Sequence, residues 1–339
     1  MDWTPLIETS RGPLVECQHW GAVAVTDRDG RLLAHAGNPQ VRVFTRSTIK
    51  PFQALPLVQS GAAQDLGWGT DELAMLCASH SGESFHARQT ARMLASAGQG
   101  PGALQCGQHP PLFTQLGLAD VALEVGDTPS ALHHNCSGKH AGFVAYCVRH
   151  GLPLADHLEP QHPLQQAVRA ALAQVTDTPE AELVMGIDGC SAPNYALPLQ
   201  RLAQGYARLA GGWPAQPATD AALRALADAM VARPDLVSGT GRHDLDIMRA
   251  GRGDWVSKTG ADGVQVVGSR SRGQAFALKV LDGNITAQVA AAVEVMAQLG
   301  WLDAAQVEAL APRRAATIAT VRGRAVGERR PVLQLQWVV

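Results

Sequence analysis

The order of strand-like and helix-like segments constrains the fold of this chain more than any other feature of its sequence. Residues 14–36 read as two strands joined by a turn at Asp29-Gly30. Residues 253–284, near the other end, contain three short β-rich runs separated by glycine-rich turns. We therefore expect an antiparallel sheet built from both ends of the chain.

Helix-like periodicity fills the middle of the sequence. The predicted helices are residues 52–66, 70–76, 85–97, 138–149, 163–174, 194–210 and 219–232, and a final helix at 286–299. Strands, then helices, then strands indicate an α/β fold in which residues 1–339 form one catalytic unit. A helical subdomain at about residues 53–235 would be inserted between the terminal strand segments.

Length and composition describe an ordinary globular protein. The 339 residues are 46% hydrophobic and 17% charged, with a formal net charge of −2. No basic run predicts a nucleic-acid partner, and no apolar stretch approaches the roughly 18 residues of a membrane helix. The N-terminus lacks the apolar core of a signal peptide, so we expect a cytoplasmic protein whose cysteines are free thiols or ligands. Four of the six cysteines lie in strand or helix patterns and are predicted to be core residues, namely Cys17, Cys77, Cys106 and Cys147.

Lysine is almost absent from this chain. Of 28 basic residues only four are lysines, at positions 50, 139, 258 and 279, and the other 24 are arginines. A lysine amine can lose its proton when its surroundings lower its pKa, whereas an arginine guanidinium stays charged. The lysines are therefore candidates for positions that need a neutral amine. Codon bias with four surviving lysines would give the same composition.

The segment "TRSTIKPFQ", residues 45–53, places Ser47 three residues before Lys50. Residues three apart lie on the same side of a helix. Because Pro51 is excluded from a helix interior, the helix should begin near Ser47. Unpaired backbone N–H groups in a first helical turn favour an oxyanion.

A second motif supports this interpretation. "SKTG", residues 257–260, lies on a predicted strand, and Ser-x-x-Lys together with Lys-Thr-Gly is typical of penicillin-recognising serine acyl enzymes. The two motifs predict a nucleophilic serine activated by a lysine base. The alternative for Lys258 is a solvated cation at the end of a strand.

Two polar segments between helices have the composition of loops that line a site, "ASHSGESFH" at 78–86 and "HHNCSGKHAG" at 133–142. Taken singly, their histidines are expected to be surface or hydrogen-bonded residues. Cys136 and Cys190 could hold zinc as thiolates, but two cysteines without Cys-x-x-Cys spacing are usually buried thiols.

Several motifs in order resemble one known family. "TRSTIKPFQALPLVQSGA", "ASHSGE", "CGQHPP", "HHNCSGKHAGF", "GIDGCSAPN" and "KTGADG" resemble the thermolabile, Rhizobium-type (class 3) L-asparaginases, over about residues 42–279. The resemblance implies a serine β-lactamase-like fold, also related to glutaminases. It also implies a homodimer and hydrolysis of L-asparagine to L-aspartate and ammonia.

The resemblance also implies roles for individual residues. Ser47 matches the nucleophile with Lys50 as its partner, and Ser79 with Lys258 matches a second serine–lysine pair. A zinc ion, with water completing its shell, is implied at three positions, Cys136, Lys139 and Cys190.

A zwitterionic substrate needs an anion for its ammonium group and a donor for its carboxylate. The candidates are Asp188 and Arg46, with Glu83 in reserve and His140 as a further contact. A strand-end salt bridge is the alternative for Arg46.

Three other functions stay open: a glutaminase, a β-lactamase-like hydrolase, and a zinc-dependent amino-acid sensor without turnover. One methylene changes discrimination by only about 1–3 kcal/mol, so the sequence does not separate asparagine from glutamine.

Overall fold

The computed structural model describes residues 2–118 and 121–338, and within them the chain is a mixed α/β protein. The strands are β1 (Thr4–Arg11), β2 (Leu14–Asp27), β3 (Leu32–Ala36), β4 (Arg42–Phe44), β5 (Val184–Ile187), β6 (Pro193–Pro198), β7 (Trp255–Gly260), β8 (Val264–Ser269), β9 (Gln274–Val280), β10 (Ala316–Ala319), β11 (Ala325–Pro331) and β12 (Gln336–Trp337).

The helices fall mostly between β4 and β7. They are α1 (Lys50–Gln53), α2 (Leu55–Gln59), α3 (Ala62–Asp65), α4 (Thr70–Leu76), α5 (Ser84–Ser96), α6 (Leu112–Gln115), α7 (Ser137–Arg149), α8 (Pro163–Thr176), α9 (Leu199–Gly211), α10 (Pro217–Ala232), α11 (Pro234–Val237), α12 (His243–Ala250), α13 (Ile285–Gln298) and α14 (Ala304–Arg314).

The chain divides into two compact units. Unit 1 comprises Met1–Thr48, Leu197–Gly211 and Ala250–Val339, and unit 2 comprises Ile49–Ala196 and Gly212–Arg249. Unit 2 covers most of the predicted helical subdomain at about 53–235, whereas α9, which lies inside that range, belongs to unit 1.

Unit 1 is built on an antiparallel sheet with the strand order β10-β11-β1-β2-β9-β8-β7. The N-terminal β2 lies directly beside the C-terminal β9, with Val23 opposite Leu278 and Val25 opposite Phe276. All four of these side chains are fully buried, so the pairing places apolar residues of both chain ends in one core. The prediction of a sheet built from both ends is confirmed.

Helix α9 packs on this sheet at very short range. A Cβ added to Gly268 of β8 would lie 2.8 Å from the Cβ of Ala210 and 2.9 Å from the carbonyl oxygen of Tyr206. Only glycine allows that approach, because real Cβ atoms do not tolerate such contacts.

Unit 2 is mainly helical, with the hairpin of β5 and β6 as its sheet element. Its core is formed by α4, α5, α7 and α10, which bury methionine, leucine and alanine side chains on their facing sides.

The predicted hairpin at 14–36 and the three strands in 253–284 are confirmed, and α4 has the predicted bounds. The single helix predicted at 52–66 is wrong. Three short helices replace it because Pro56 cannot donate within a continuous helix and Gly61 adopts the left-handed φ of 77°.

Three further predictions need correction. The helix predicted at 194–210 is wrong in its first part, because residues 193–196 pair with β5 as a strand. Residues 286–299 are not the final helix, since α14 follows. Cys17 is exposed in the first half of β2, whereas Cys77, Cys106 and Cys147 are buried as predicted.

Among the residues that the structure describes, no helix has the length and apolar character needed to cross a membrane.

Candidate active site

Ser47 lies where the predicted helical turn begins. Residues Arg46–Ile49 form a 3₁₀ turn that continues into α1, and Arg46 has the left-handed φ of 50°. Within unit 1 the end of β7 packs against this turn. A Cβ on Gly260 would lie 3.0 Å from the carbonyl oxygen of Thr45 and 3.3 Å from the Cβ of Arg46. The Lys-Thr-Gly motif therefore requires its glycine for close packing against the segment that carries Ser47.

A buried polar network supports the rest of that motif. The Nε2 group of Gln288 on α13 lies 2.8 Å from Thr259 Oγ1 and 3.0 Å from Gln265 Oε1. Gln265 Nε2 donates to Ser257 Oγ at 2.9 Å. Lys258 is fully buried and donates to the carbonyl oxygen of Thr259 at 2.9 Å. The solvated strand-end alternative for Lys258 is therefore wrong, because its side chain is not in water.

Arg46 forms an ion pair with Asp262, also in unit 1. Lys279 donates to the carbonyl oxygen of the same Asp262. The salt bridge that the sequence left open for Arg46 is therefore present.

Lys50, the first residue of α1, is 1% exposed and contacts three acceptors in unit 2. Its Nζ lies 2.5 Å from the carbonyl oxygen of Ala78, 2.8 Å from Ser79 Oγ and 3.2 Å from the carbonyl oxygen of Asn135. The direct serine partner of Lys50 within unit 2 is thus Ser79.

Burial lowers the pKa of Lys50, because the charged form loses its hydration. Cys136 and Cys190 oppose this effect, whereas Lys139 adds to it, and the net direction is downward. A lysine amine in contact with a serine hydroxyl and with a lowered pKa is the arrangement that activates a nucleophile.

A loop between α11 and α12 fixes the segment that carries Ser79. Ser79 N donates to the carbonyl oxygen of Val237, and Arg242 Nη1 donates to the carbonyl oxygen of Ser79. Ser81 Oγ donates to the carbonyl oxygen of Ser238 at 3.0 Å. Both backbone polar groups of Ser79 are therefore held by residues 237–242.

Glu83 also connects the Ser79 segment to the loop at 237–242. Its carboxylate accepts hydrogen bonds from both the backbone N and the Oγ1 of Thr240, at 2.8 Å each. Gly239, between these contacts, has φ of 116°, and a Cβ there would lie 1.8 Å from Ser81 Oγ. Glu83 thus holds a loop whose shape depends on glycine.

His80 connects the Ser79 segment to the start of α7. The backbone N of Gly82 donates to His80 Nδ1, so the ring proton is on Nε2, which donates to Ser137 Oγ at 2.9 Å. Burial, followed by the charges of His86 and Lys50, lowers the pKa of His80 well below its usual value. His80 is therefore a neutral, hydrogen-bonded core residue, as expected for a histidine taken singly.

The two predicted thiol ligands converge next to α7. Lys139 Nζ lies 3.0 Å from Cys190 Sγ. A hydrogen bond from Cys136 lowers the pKa of Cys190, and the same bond together with burial raises the pKa of Cys136. Cys190 therefore faces both the Cys136 side chain and the Lys139 amine. Burial opposes the charge of Lys139, but Cys190, Cys136 and Asp188 outweigh it and raise its pKa.

His140 lies beside this cluster. Its ring is buried, and Cys190 is close enough to form a hydrogen bond with it. Burial and then Lys139 lower the pKa of His140 to about 4, so its nitrogens are unprotonated lone-pair donors or neutral N–H groups. Within residues 2–118 and 121–338, no three His, Cys, Asp or Glu side chains are grouped to hold a metal ion. Two thiols, an amine and a neighbouring imidazole nevertheless suit a soft divalent cation in ligand type.

A comparison with protein families identifies the chain. The family model for L-asparaginase II matches residues 7–331, which is nearly the whole sequence. The chain belongs to the L-asparaginase II family. No curated protein gives a significant match.

As a member of this family, the chain is an amidohydrolase, and the serine hydroxyls and buried lysines are suited to that reaction. Sequence reasoning missed the loop at 237–242 and with it Arg242. The only local signal was "SGTGR", whose two glycines indicate an unusual backbone.

Asp188 lies in the turn before Cys190, with its Oδ1 accepting from the backbone N of Gly189 at 2.8 Å. The predicted site residues are divided between the two units. Unit 1 contains Ser47, Lys258 and Arg46. The remaining predicted site residues belong to unit 2, namely Lys50, Ser79, Glu83, Cys136, Lys139, His140, Asp188 and Cys190.

Proposed function

We propose that this protein hydrolyses the side-chain amide of L-asparagine through a serine acyl-enzyme. The hydrogen bond of 2.8 Å between Lys50 Nζ and Ser79 Oγ is the main support for this mechanism. Burial lowers the pKa of Lys50, which favours the neutral amine that can accept a proton relative to a lysine in water. The family supplies the amide substrate.

In the proposed mechanism, Ser47 attacks the amide carbon and Lys50, three residues away in the chain, accepts the hydroxyl proton. The C–N bond of the tetrahedral intermediate breaks as the nitrogen receives a proton, and ammonia leaves. Ser79, whose hydroxyl is hydrogen-bonded to Lys50, relays that proton from Lys50 to the departing nitrogen. Water then cleaves the ester and releases L-aspartate.

Ammonia release and mass spectrometry test this mechanism together. The enzyme quenched during turnover of L-asparagine should carry an aspartyl adduct on Ser47. An adduct on Ser79 instead would make Ser79 the nucleophile and Lys50 its direct base. A protein that binds asparagine and releases no ammonia would be a sensor. Rates measured in parallel with L-glutamine decide the preference between the two amides.

We also propose a zinc ion held by Cys136, Lys139 and Cys190. The support is the convergence of two thiols and an amine beside the buried imidazole of His140. When bound, zinc would supply a fixed positive charge that disfavours protonation of neighbouring amines.

Elemental analysis of protein purified without added metal should give one zinc per chain. The double variant Cys136→Ala, Cys190→Ala should lose it, and the control Cys17→Ala, Cys106→Ala should keep it. Full metal content in the first double variant would contradict this site.

The finer predictions about the fold, the assembly and the location are also proposals. An antiparallel sheet built from both chain ends supports a serine β-lactamase-like fold. For the homodimer, β5 offers three exposed apolar side chains, Val184, Met185 and Ile187. Sedimentation velocity at micromolar concentration should give twice the chain mass, and a monomer mass would contradict the proposal. A cytoplasmic location stays a prediction.

A further inference from the structure

Arg242 is a buried cation in an unusual setting. Its side chain is 5% exposed. A guanidinium has five N–H donors. Among the described residues, Arg242 uses one of them, in a bond of 3.2 Å to the carbonyl oxygen of Ser79, and its fully buried Nε has no hydrogen-bond partner there.

No carboxylate in residues 2–118 and 121–338 forms an ion pair with Arg242. Asp244 is near enough to favour the charged form of Arg242. The other arginine considered for substrate binding, Arg46, already has Asp262 as its partner. A buried guanidinium without an anionic partner is energetically unfavourable, and such groups concentrate at functional sites.

Arg242 lies beside a residue of the candidate active site. It contacts the backbone of Ser79, whose hydroxyl contacts Lys50, so both buried cations lie against one residue of the candidate active site. A planar guanidinium with free N–H groups binds a carboxylate through two parallel hydrogen bonds. We propose that Arg242 binds the α-carboxylate of the amino-acid substrate.

This inference rests on the proposed function, since it assumes an amino acid as substrate. It makes Arg242 a specificity determinant, because ligands without an α-carboxylate would leave the guanidinium unpaired. The alternative is that Arg242 only fixes the carbonyl group of Ser79.

Two substrates separate these roles. L-Asparagine has the α-carboxylate, and L-asparaginamide replaces it with a neutral amide while keeping the side-chain amide. Products of side-chain hydrolysis are quantified by chromatography for the wild type, Arg242→Met and Arg242→Lys. The control is Arg249→Met, an exposed arginine on α12, the helix that begins directly after Arg242.

Arg242→Met should lower kcat/KM for L-asparagine at least about thirtyfold, mainly through KM. Its kcat/KM for L-asparaginamide should stay within about threefold of the wild-type value, Arg242→Lys should be intermediate, and Arg249→Met should be unchanged. Equal losses of kcat/KM for both substrates would overturn the proposal in favour of a positioning role for Arg242. An unchanged KM for L-asparagine would do the same. If Arg242→Met does not fold, Arg242→Lys takes its place. The measure is then kcat/KM for L-asparagine divided by kcat/KM for L-asparaginamide, compared with the same ratio for the wild type.

Binding of the product makes the test independent of turnover. L-Aspartate should raise the Tm of the wild type, and Arg242→Lys should weaken this shift. L-Aspartic acid 1-amide, which lacks the α-carboxylate, should give the same small shift in both proteins. A wild type that hydrolyses neither substrate but shows these shifts would refute the proposed function alone. Equal L-aspartate shifts in both proteins would refute the role of Arg242.

Discussion

At the residue scale, the proposed role of Lys50 as a base is one that arginine could not fill. Its amine contacts Ser79 Oγ from a buried position, and the sequence uses arginine at 24 of 28 basic positions. A guanidinium cannot give up a proton at working pH, and it does not fit a contact formed by a compact amine. The proposed mechanism therefore requires Lys50 to change its protonation state, which a variant with a fixed positive charge can test.

The variant Lys50→Arg should fold and lose at least about a hundredfold in asparaginase kcat, because a positioned general base contributes about 10²–10⁴ in rate. Steady-state ammonia release measures this loss. Lys279→Arg is the control, since a guanidinium can also donate to the carbonyl oxygen of Asp262 that Lys279 contacts. Activity of Lys50→Arg within tenfold of the wild type would show that Lys50 supplies charge only.

The lowered pKa of Lys50 also predicts a pH profile. The base must be neutral, so kcat/KM should rise with pH through a limb whose midpoint lies below 10.5, the ordinary value for lysine. Initial rates between pH 6 and 10 measure the limb, with enzyme returned to pH 8 as the control for inactivation. A kcat/KM that falls steadily as pH rises across this range would rule out a lysine base.

At the scale of elements, two short segments hold each other in position around the candidate site. The segment at 79–83 and the loop at 237–242 are joined by hydrogen bonds through Val237, Ser238, Thr240 and Arg242. Neither segment is a helix or strand along its whole length, so each relies on the other for its conformation.

The variant Gly239→Ala should disrupt this connection. A methyl group there would collide with Ser81 Oγ at 1.8 Å and with Glu83 Oε1 at 2.7 Å, on a backbone with φ of 116°. We expect a loss of about 2–4 kcal/mol in the free energy of unfolding and at least a tenfold loss of kcat/KM.

Gly98→Ala is the matched control, since Gly98 has φ of 69° and open space around its Cβ position. Gly98→Ala should lower the free energy of unfolding by about 1 kcal/mol and leave kcat/KM unchanged. Urea unfolding and kinetics measure both variants. Equal effects at the two positions would show that the contacts of Gly239 do not matter.

At the scale of the whole molecule, unit 2 buries several neutral histidines, and this makes the protein sensitive to acid. Burial lowers the pKa of His86 to about 3, helped by Arg242 and Arg233 and opposed by Asp235. Burial also lowers the pKa of His134 to about 3. Between pH 6.5 and about 3 the unfolded chain therefore binds more protons at these positions than the folded chain, so stability falls as pH falls.

We expect the free energy of unfolding to drop by about 1.4 kcal/mol per pH unit for each such histidine below pH 6.5. Urea unfolding between pH 6.5 and 4.5 measures the slope. His86→Gln, which can still donate to the carbonyl oxygen of Asp235, should make the slope shallower, whereas the exposed His150→Gln should leave it unchanged. An identical slope in both variants would exclude His86 as the source.

The sequence by itself determined the features that depend on neighbouring residues. The turn-forming pair Asp29-Gly30 predicted the position of the first hairpin, and helical periodicity predicted α4. Pro51 indicated that a helical turn begins beside Ser47. The family could also be inferred, because its motifs are short continuous segments whose order is visible in the chain.

Only the tertiary structure decided which distant groups meet. Lys50 contacts Ser79, 29 residues away, and Lys139 contacts Cys190, 51 residues away. Arg242 reaches the backbone of Ser79 across 163 positions. Periodicity and spacing describe the chain over one or two turns, whereas these contacts arise from the packing of separate elements. The burial of Lys50, which lowers its pKa, is likewise a property of the folded chain.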